Sequence, residues 1–110
     1  MSALGLFIPE NTEQKGDLHV EGDVRIEGSF AGTLYCEETL TIGKKAHITG
    51  DIECQNAHIM GFLSGNLRVH QECILYRTAI FKGLLDATIS KVEKGCQLRG
   101  EVFIKGTNSP

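Results

Sequence analysis

A glycine that recurs in one local context constrains the fold of this chain more than any other feature. The context is small-x-apolar-x-Gly-x-apolar, and its five copies are GSFAGTL, AHITGDI, GFLSGNL, AIFKGLL and CQLRGEV, which begin 18, 15, 18 and 17 residues apart. This period is too short for a helix pair, because ankyrin and TPR units need about 33 or 34 residues. It suits one turn of a β-solenoid built from short strands.

Alternation of apolar and polar residues around the glycines predicts strands with one inward face. In GDLHVEGDVRIEGSF the apolar residues fall on every second position, which is the side-chain period of a β-strand. Residues 84–94 could also form a helix, but a strand with one slipped residue fits the repeat better. The predicted inward pairs are Leu34/Cys36, Ile52/Cys54, Leu67/Val69, Leu85/Ala87 and Val102/Ile104, followed by Leu40/Ile42, Ala57/Ile59, Cys73/Leu75 and Ile89/Val92.

Together these patterns predict an all-β fold, a single-stranded parallel β-helix (β-solenoid) of triangular section. We expect about five to six turns of 15–18 residues. The glycine column marks a column of corners, because Gly accepts φ > 0 and close backbone approach. The short 15-residue spacing predicts a tighter corner near Asn56 or Gly65. The predicted domain spans residues 16–106, between a flexible tail of residues 1–15 and a short tail of residues 107–110.

Composition and motifs argue against several classes of function. The net charge of −3 and the lack of a Lys/Arg run disfavour a nucleic-acid partner. Neither GxxxxGK[ST] nor GxGxxG occurs, so we predict no nucleotide and no cofactor. The four cysteines form no CxxC pair and the four histidines have outward parity, so we predict no metal site and no catalytic site. Cys36 and Cys54 share a column and are expected to pack as small hydrophobes in a reducing cytoplasm.

Both ends of the predicted solenoid are uncapped, with unpaired strand edges beside uncovered core side chains. Only TNSP follows the last apolar repeat, and the first turn has little to cover it. We therefore expect the chain to assemble with itself, end to end, into filaments. Frayed, solvated ends of a monomer are the alternative. The predicted polymerisation residues are Leu18, Val20, Val24 and Ile26 at one end and Leu98, Val102, Phe103 and Ile104 at the other.

The N-terminal tail carries a compact apolar run: Leu4, Leu6, Phe7 and Ile8. We predict that this run contacts a membrane surface, since burial of four such side chains is worth about 6–10 kcal/mol before ordering costs. Many tails on one filament would strengthen a marginal contact, although Glu10 and Glu13 oppose attraction to anionic lipid. The alternative is that the run folds back and caps the first turn.

With GDLHVEGDVRIEGSFAG, LTIGKKAHITGDI and the repeated glycine core, the sequence resembles the bactofilins, a family of small bacterial polymer-forming cytoskeletal proteins. The resemblance covers residues 16–106. It implies a right-handed parallel β-helix, in agreement with the general handedness of parallel connections, that polymerises through its terminal turns without nucleotide. It also implies a scaffold, not an enzyme, at the inner face of the cytoplasmic membrane, which organises cell shape, cell-wall enzymes or polarity proteins.

A hexapeptide-repeat enzyme is the alternative function, an acyltransferase or a carbonic anhydrase-like trimer on a left-handed β-helix. Its repeats give a similar number of residues per turn, and such carbonic anhydrases bind zinc through His at subunit interfaces. Here His47 and His58 are 11 residues apart and have different predicted faces, so one metal ion would not easily bind both. Discrete trimers, in place of filaments, would identify this class.

Overall fold

The chain winds into a single parallel sheet. The computed structural model describes residues 3–107, and the side chains of residues 5–102, as seven strands with no helix in that range. Each strand pairs in parallel with the strands that precede and follow it in sequence. This confirms the predicted all-β solenoid. The strands are β1 (Ala3–Ile8), β2 (Glu13–Ile26), β3 (Ser29–Ile42), β4 (His47–Ile59), β5 (Phe62–Leu75), β6 (Ile80–Val92) and β7 (Gln97–Thr107).

Each full-length strand bends around the axis to make one turn. A strand of 14 residues would extend about 46 Å at about 3.3 Å per residue, which exceeds the largest dimension of the 38 × 24 × 19 Å molecule. One bend lies at a column of glycines that are in register from strand to strand and have φ between 117° and 132°. Their positions are Gly16, Gly32, Gly50, Gly65, Gly83 and Gly100.

Inward residues stack in columns along the axis and form one hydrophobic core. The predicted pairs that follow the glycines in β3 to β6 are confirmed, with each side chain at most 3% exposed. Cys36 and Cys54 are register neighbours, as predicted, and all four cysteines are free. Aliphatic side chains, cysteines and two phenylalanines, Phe30 and Phe81, fill the solenoid, because alternate residues of every turn point into this interior.

The last part of β6 differs from the prediction. Ser90, not Ile89, occupies the inward column next to Cys73, and Ile89 is half-buried. The reason is that β6 passes the preceding corner with one residue fewer than β5, and one residue reverses the parity of a strand. The segment 84–94 enters this strand as far as Val92, so the helical alternative is wrong.

The 15-residue turn is short for two reasons. Near Asn56, β4 uses one residue fewer than β3, as predicted. The corner that leads into β5 contains only Met60 and Gly61, whereas the corner before β4 contains four residues, 43–46. A Cβ on Gly61 would lie 2.2 Å from the Gly43 carbonyl oxygen, so this two-residue corner requires glycine.

The solenoid begins earlier than the sequence analysis placed it. Residues assigned there to a tail include β1 and the first three residues of β2. β1 pairs with the second half of β2, so that Leu6 lies beside Val24 and Ile8 beside Ile26. The apolar run is able to pair in this way because its alternate side chains meet the same inward columns.

Candidate functional site

The C-terminal end of the solenoid leaves core positions uncovered within the described part of the chain. Val92, Leu98 and Val102 are 49%, 36% and 38% exposed. Since each continues a core column, the exposure arises because no described turn follows. Val92 is the most exposed of the three, and the sequence analysis did not place it among the contact residues. Their register partners one turn earlier are completely buried: Leu75, Phe81 and Leu85.

β7 also presents a strand edge at this end. It pairs with β6 along one side, and no described strand lies along the other. Free N–H and C=O groups on such an edge can pair with another chain. The predicted contact residues Phe103 and Ile104 lie in this strand, beside Asp86 and Ala87, and their side chains fall outside the described residues.

The N-terminal end is covered over only part of its surface. Val20, Val24 and Ile26 are buried, which corrects the expectation that the first turn has little to cover it. β1 supplies this cover by pairing with residues 20–26. The first part of β2 has no described strand beyond it, and Leu18 in that part is only half-buried.

β1 divides its apolar side chains between two faces. Ile8 is buried in the core and Leu6 packs against it. Phe7 lies between them in sequence, faces outward and is 56% exposed. Leu4 belongs to the same strand, and its side chain falls outside the described residues. Leu6 and Ile8 therefore cover the first turn in this structure, while Phe7 is accessible.

The described residues contain no group of three or more His, Cys, Asp or Glu that could hold a metal ion. The histidines lie on outward faces, as predicted, and make contacts between neighbouring turns. His19 and His70 each place Nε2 2.6 Å from a glutamate oxygen, and His58 Nδ1 lies 3.0 Å from the Tyr76 hydroxyl. Such cross-strand pairs are ordinary stabilising contacts of a sheet surface.

The buried thiols are poor nucleophiles. Burial raises the pKa of the Cys73 thiol to about 12, and it also raises the pKa of Cys54. Both groups are therefore protonated near neutral pH, whereas the thiolate is the reactive form. Within residues 3–107 no helix has the length and apolar character needed to cross a membrane.

A model of a known protein family matches nearly the whole chain. The model for Bactofilin, described as polymer-forming cytoskeletal, matches residues 6–103. This span runs from within β1 to within β7 and so includes nearly the whole solenoid. The chain belongs to the bactofilin family. Bactofilins are cytoskeletal, so the predicted class of structural scaffold is confirmed. No curated protein and no solved structure matches the chain.

The exposed ends described above can now be compared with the predicted polymerisation residues of this bactofilin. The sequence pattern located the C-terminal end through Leu98 and Val102, whose parity is inward. It placed Val20, Val24 and Ile26 at the N-terminal end, where the structure puts β1 over them. The N-terminal surface of this bactofilin is thus formed by β1 and residues 13–19 of β2.

Proposed function

We propose that this bactofilin assembles end to end into nucleotide-independent filaments that form a cytoskeletal scaffold. The main support is a change in side-chain exposure along the core columns. Leu75, Phe81 and Leu85 are fully buried, whereas the residues that continue their columns one turn later are exposed. A contact that buries a few hundred Å² of apolar surface is worth several kcal/mol at about 25 cal/mol per Å², before association costs. The unpaired edge of β7 adds backbone hydrogen bonds to that contact.

The N-terminal surface offers the second contact. Its strand edges are those of β1 and of residues 13–19, with Leu18 half-buried beside them. Because both ends of one protomer then carry a contact, growth continues and gives filaments in place of a closed oligomer. The predicted contact residues Val20, Val24 and Ile26 lie in the turn beneath β1. They would contact a second copy only if β1 moved away.

The same proposal places the filaments at the inner face of the cytoplasmic membrane, where they organise cell shape or cell-wall enzymes. The exposed Phe7 supports a membrane contact, and a filament would present many copies of it at once. Leu6 and Ile8 pack against the core, so they would reach lipid only after β1 had left β2.

Negative-stain electron microscopy of the purified protein without nucleotide tests the assembly. We expect long thin filaments from the wild type and short oligomers or monomers from Val102→Lys, because a charge on the open column opposes burial. Glu101→Lys is the matched control, since it adds a lysine at the neighbouring exposed position of the same strand. Filaments that persist in Val102→Lys would place the contact elsewhere, and discrete trimers would favour the hexapeptide-repeat enzyme.

Co-sedimentation with vesicles of phosphatidylcholine and phosphatidylglycerol tests the membrane contact. Phe7→Asp should reduce co-sedimentation severalfold and leave filaments intact. This variant is sharper than deletion of residues 1–8, which would also uncover Val24 and Ile26. Equal co-sedimentation of Phe7→Asp and the wild type would exclude Phe7 as the membrane contact.

A further inference from the structure

One side of the solenoid is strongly acidic. This acidic face consists of the outward residues at the first and third positions after each glycine of the column. It carries five carboxylates and one arginine among its described side chains, whereas the whole chain has 14 acidic and 11 basic residues. Its members are Asp17, Thr33, Asp51, Asn66, Leu84 and Glu101 in one column and His19, Tyr35, Glu53, Arg68 and Asp86 in the other.

A groove of about 280 Å³ crosses four turns of the acidic face, from β3 to β6. Three carboxylates line it, those of Asp51, Glu53 and Asp86, against the single guanidinium of Arg68. The four strands stand about 4.8 Å apart, so the groove is about 14 Å long. A peptide in extended conformation would place four or five residues along it.

The two outer strands of the groove each contribute an apolar surface. Tyr35 of β3 is 36% exposed, and Leu84 of β6 is half-buried. Leu84 stands in a column that is polar in the other turns, where Thr33 and Asn66 occupy it. An outward leucine beside carboxylates gives this groove a place for one apolar side chain.

Glu53 Oε2 lies 2.6 Å from His70 Nε2, and the other two groove carboxylates keep capacity for a cationic partner. The Asn66 amide donates to Asp51 Oδ1 at 2.9 Å, which leaves the other oxygen of that exposed carboxylate open to a further donor. Arg68 Nε lies 3.9 Å from Asp86 Oδ2, a distance too long for a strong hydrogen bond. The groove therefore carries net negative charge that one arginine only partly offsets.

We infer that this groove binds a short basic segment of a partner protein. Lysine or arginine side chains of that segment contact Asp51, Glu53 and Asp86, and an apolar side chain at one end of the segment packs against Leu84. Charge complementarity of this kind sets specificity and speeds association. The inference concerns the side of the solenoid, so it is independent of whether the ends form filaments.

A second copy of the chain is a poorer occupant. Its basic residues on the neighbouring outward column are Lys15, Lys82 and Arg99, and the three turns between the first two carry Ala31, Thr49 and Ser64. Lys82 and Arg99 lie on adjacent turns, whereas the groove carboxylates lie on β4 and β6, two turns apart, so the spacing of this basic column does not match that of the groove.

Fluorescence anisotropy with a labelled peptide of alternating lysine and leucine tests the inference on the full chain. We expect binding that weakens with added salt and no binding of the analogue with glutamate in place of lysine. Asp51→Asn combined with Asp86→Asn should weaken binding about tenfold or more, and Leu84→Thr, which copies the residue at position 33, should weaken it severalfold. Circular dichroism verifies that each variant keeps its β structure.

Glu72→Gln is the matched control, because Glu72 pairs with Lys91 at 3.4 Å on another side of the solenoid. It removes one paired carboxylate, as Asp86→Asn does, and should leave peptide binding unchanged. The inference is overturned if Glu72→Gln weakens binding as much, if the glutamate peptide binds equally well, or if the lysine peptide does not bind. It is also overturned if the double variant changes only the side-by-side packing of filaments, which would make the groove a contact between copies.

Discussion

Gly50 lies one turn from Gly32 at such close range that a Cβ on Gly50 would stand 2.0 Å from the Gly32 carbonyl oxygen. The same relationship recurs along the column, with 2.1 Å for Gly65 over Gly50 and 2.0 Å for Gly83 over Gly65. Real Cβ atoms do not approach a backbone oxygen that closely. The repeated glycine is therefore a steric requirement of stacking one turn on the next, in addition to its left-handed φ.

Gly50→Ala should lower the free energy of unfolding by about 3 kcal/mol or more. A left-handed φ costs an L residue about 1–2 kcal/mol, and φ at Gly50 is 131°. The clash adds to this cost, because the obstructing atom is backbone and moves only if two strands separate. Urea unfolding followed by circular dichroism at one fixed protein concentration measures the difference.

Gly16→Ala is the control for that experiment. Gly16 has a similar φ of 117°, but no atom of the described residues lies within 4 Å of a Cβ at that position. We expect a loss of about 1–2 kcal/mol from φ alone. Equal losses in the two variants would show that stacking contributes nothing to the glycine requirement.

The sequence predicted the fold well because alternation and the glycine phase are local properties. The inward residues of β3 and β4, such as Leu34 and Ile52, follow from parity alone. Parity does not report how many residues a corner uses, and so the pattern chose Ile89 where the structure has Ser90. When a corner has one residue fewer, the residues after it exchange inward and outward orientation, until the next glycine restores the register.

The candidate site was less predictable, because the exposure of a terminal turn depends on whether a further strand pairs with it. Leu98 and Val102 were found from their inward parity, whereas the cover over Val24 and Ile26 depends on a pairing with β1. β1 has no glycine marker and is only six residues long. The acidic face was missed because its residues are 15 to 18 positions apart in sequence and become neighbours only in the fold.

Ser90→Ala should raise the free energy of unfolding by about 1 kcal/mol. The Ser90 hydroxyl is buried and has no hydrogen-bond partner in the described part of the chain, and an unsatisfied buried polar group costs about 1–3 kcal/mol. Alanine already occupies this column at Ala57, so it fits the interior. Urea unfolding measures the change, with the half-buried surface position Ser64→Ala as the control. A less stable Ser90→Ala would mean that its hydroxyl has a stabilising partner.

Stability should decline as the pH rises above about 9. Burial holds the pKa of Cys73 at about 12, above its ordinary value of 9.0, and raises that of Cys54. The unfolded chain therefore releases thiol protons in a range where the folded chain keeps them, and the folded state loses up to about 1.4 kcal/mol per pH unit for each thiol.

The double variant Cys54→Val and Cys73→Val isolates this effect, since valine occupies the same columns at Val69 and Val24. Urea unfolding at several pH values between 8 and about 11 should show a shallower decline in this variant than in the wild type. Identical slopes would assign the alkaline loss to other groups, such as lysine or tyrosine.

Ile8→Asp should destabilise the protein, whereas Phe7→Asp should not, although the two residues are adjacent in β1. Ile8 is 3% exposed and lies beside Ile26, so a carboxylate there either is buried without a partner or forces β1 away from the core. We expect a loss of about 3 kcal/mol. Phe7 is mostly exposed, and its substitution should change stability by less than about 0.5 kcal/mol. Urea unfolding of both variants decides the matter, because equal small effects would mean that β1 contributes no cover to the first turn in solution.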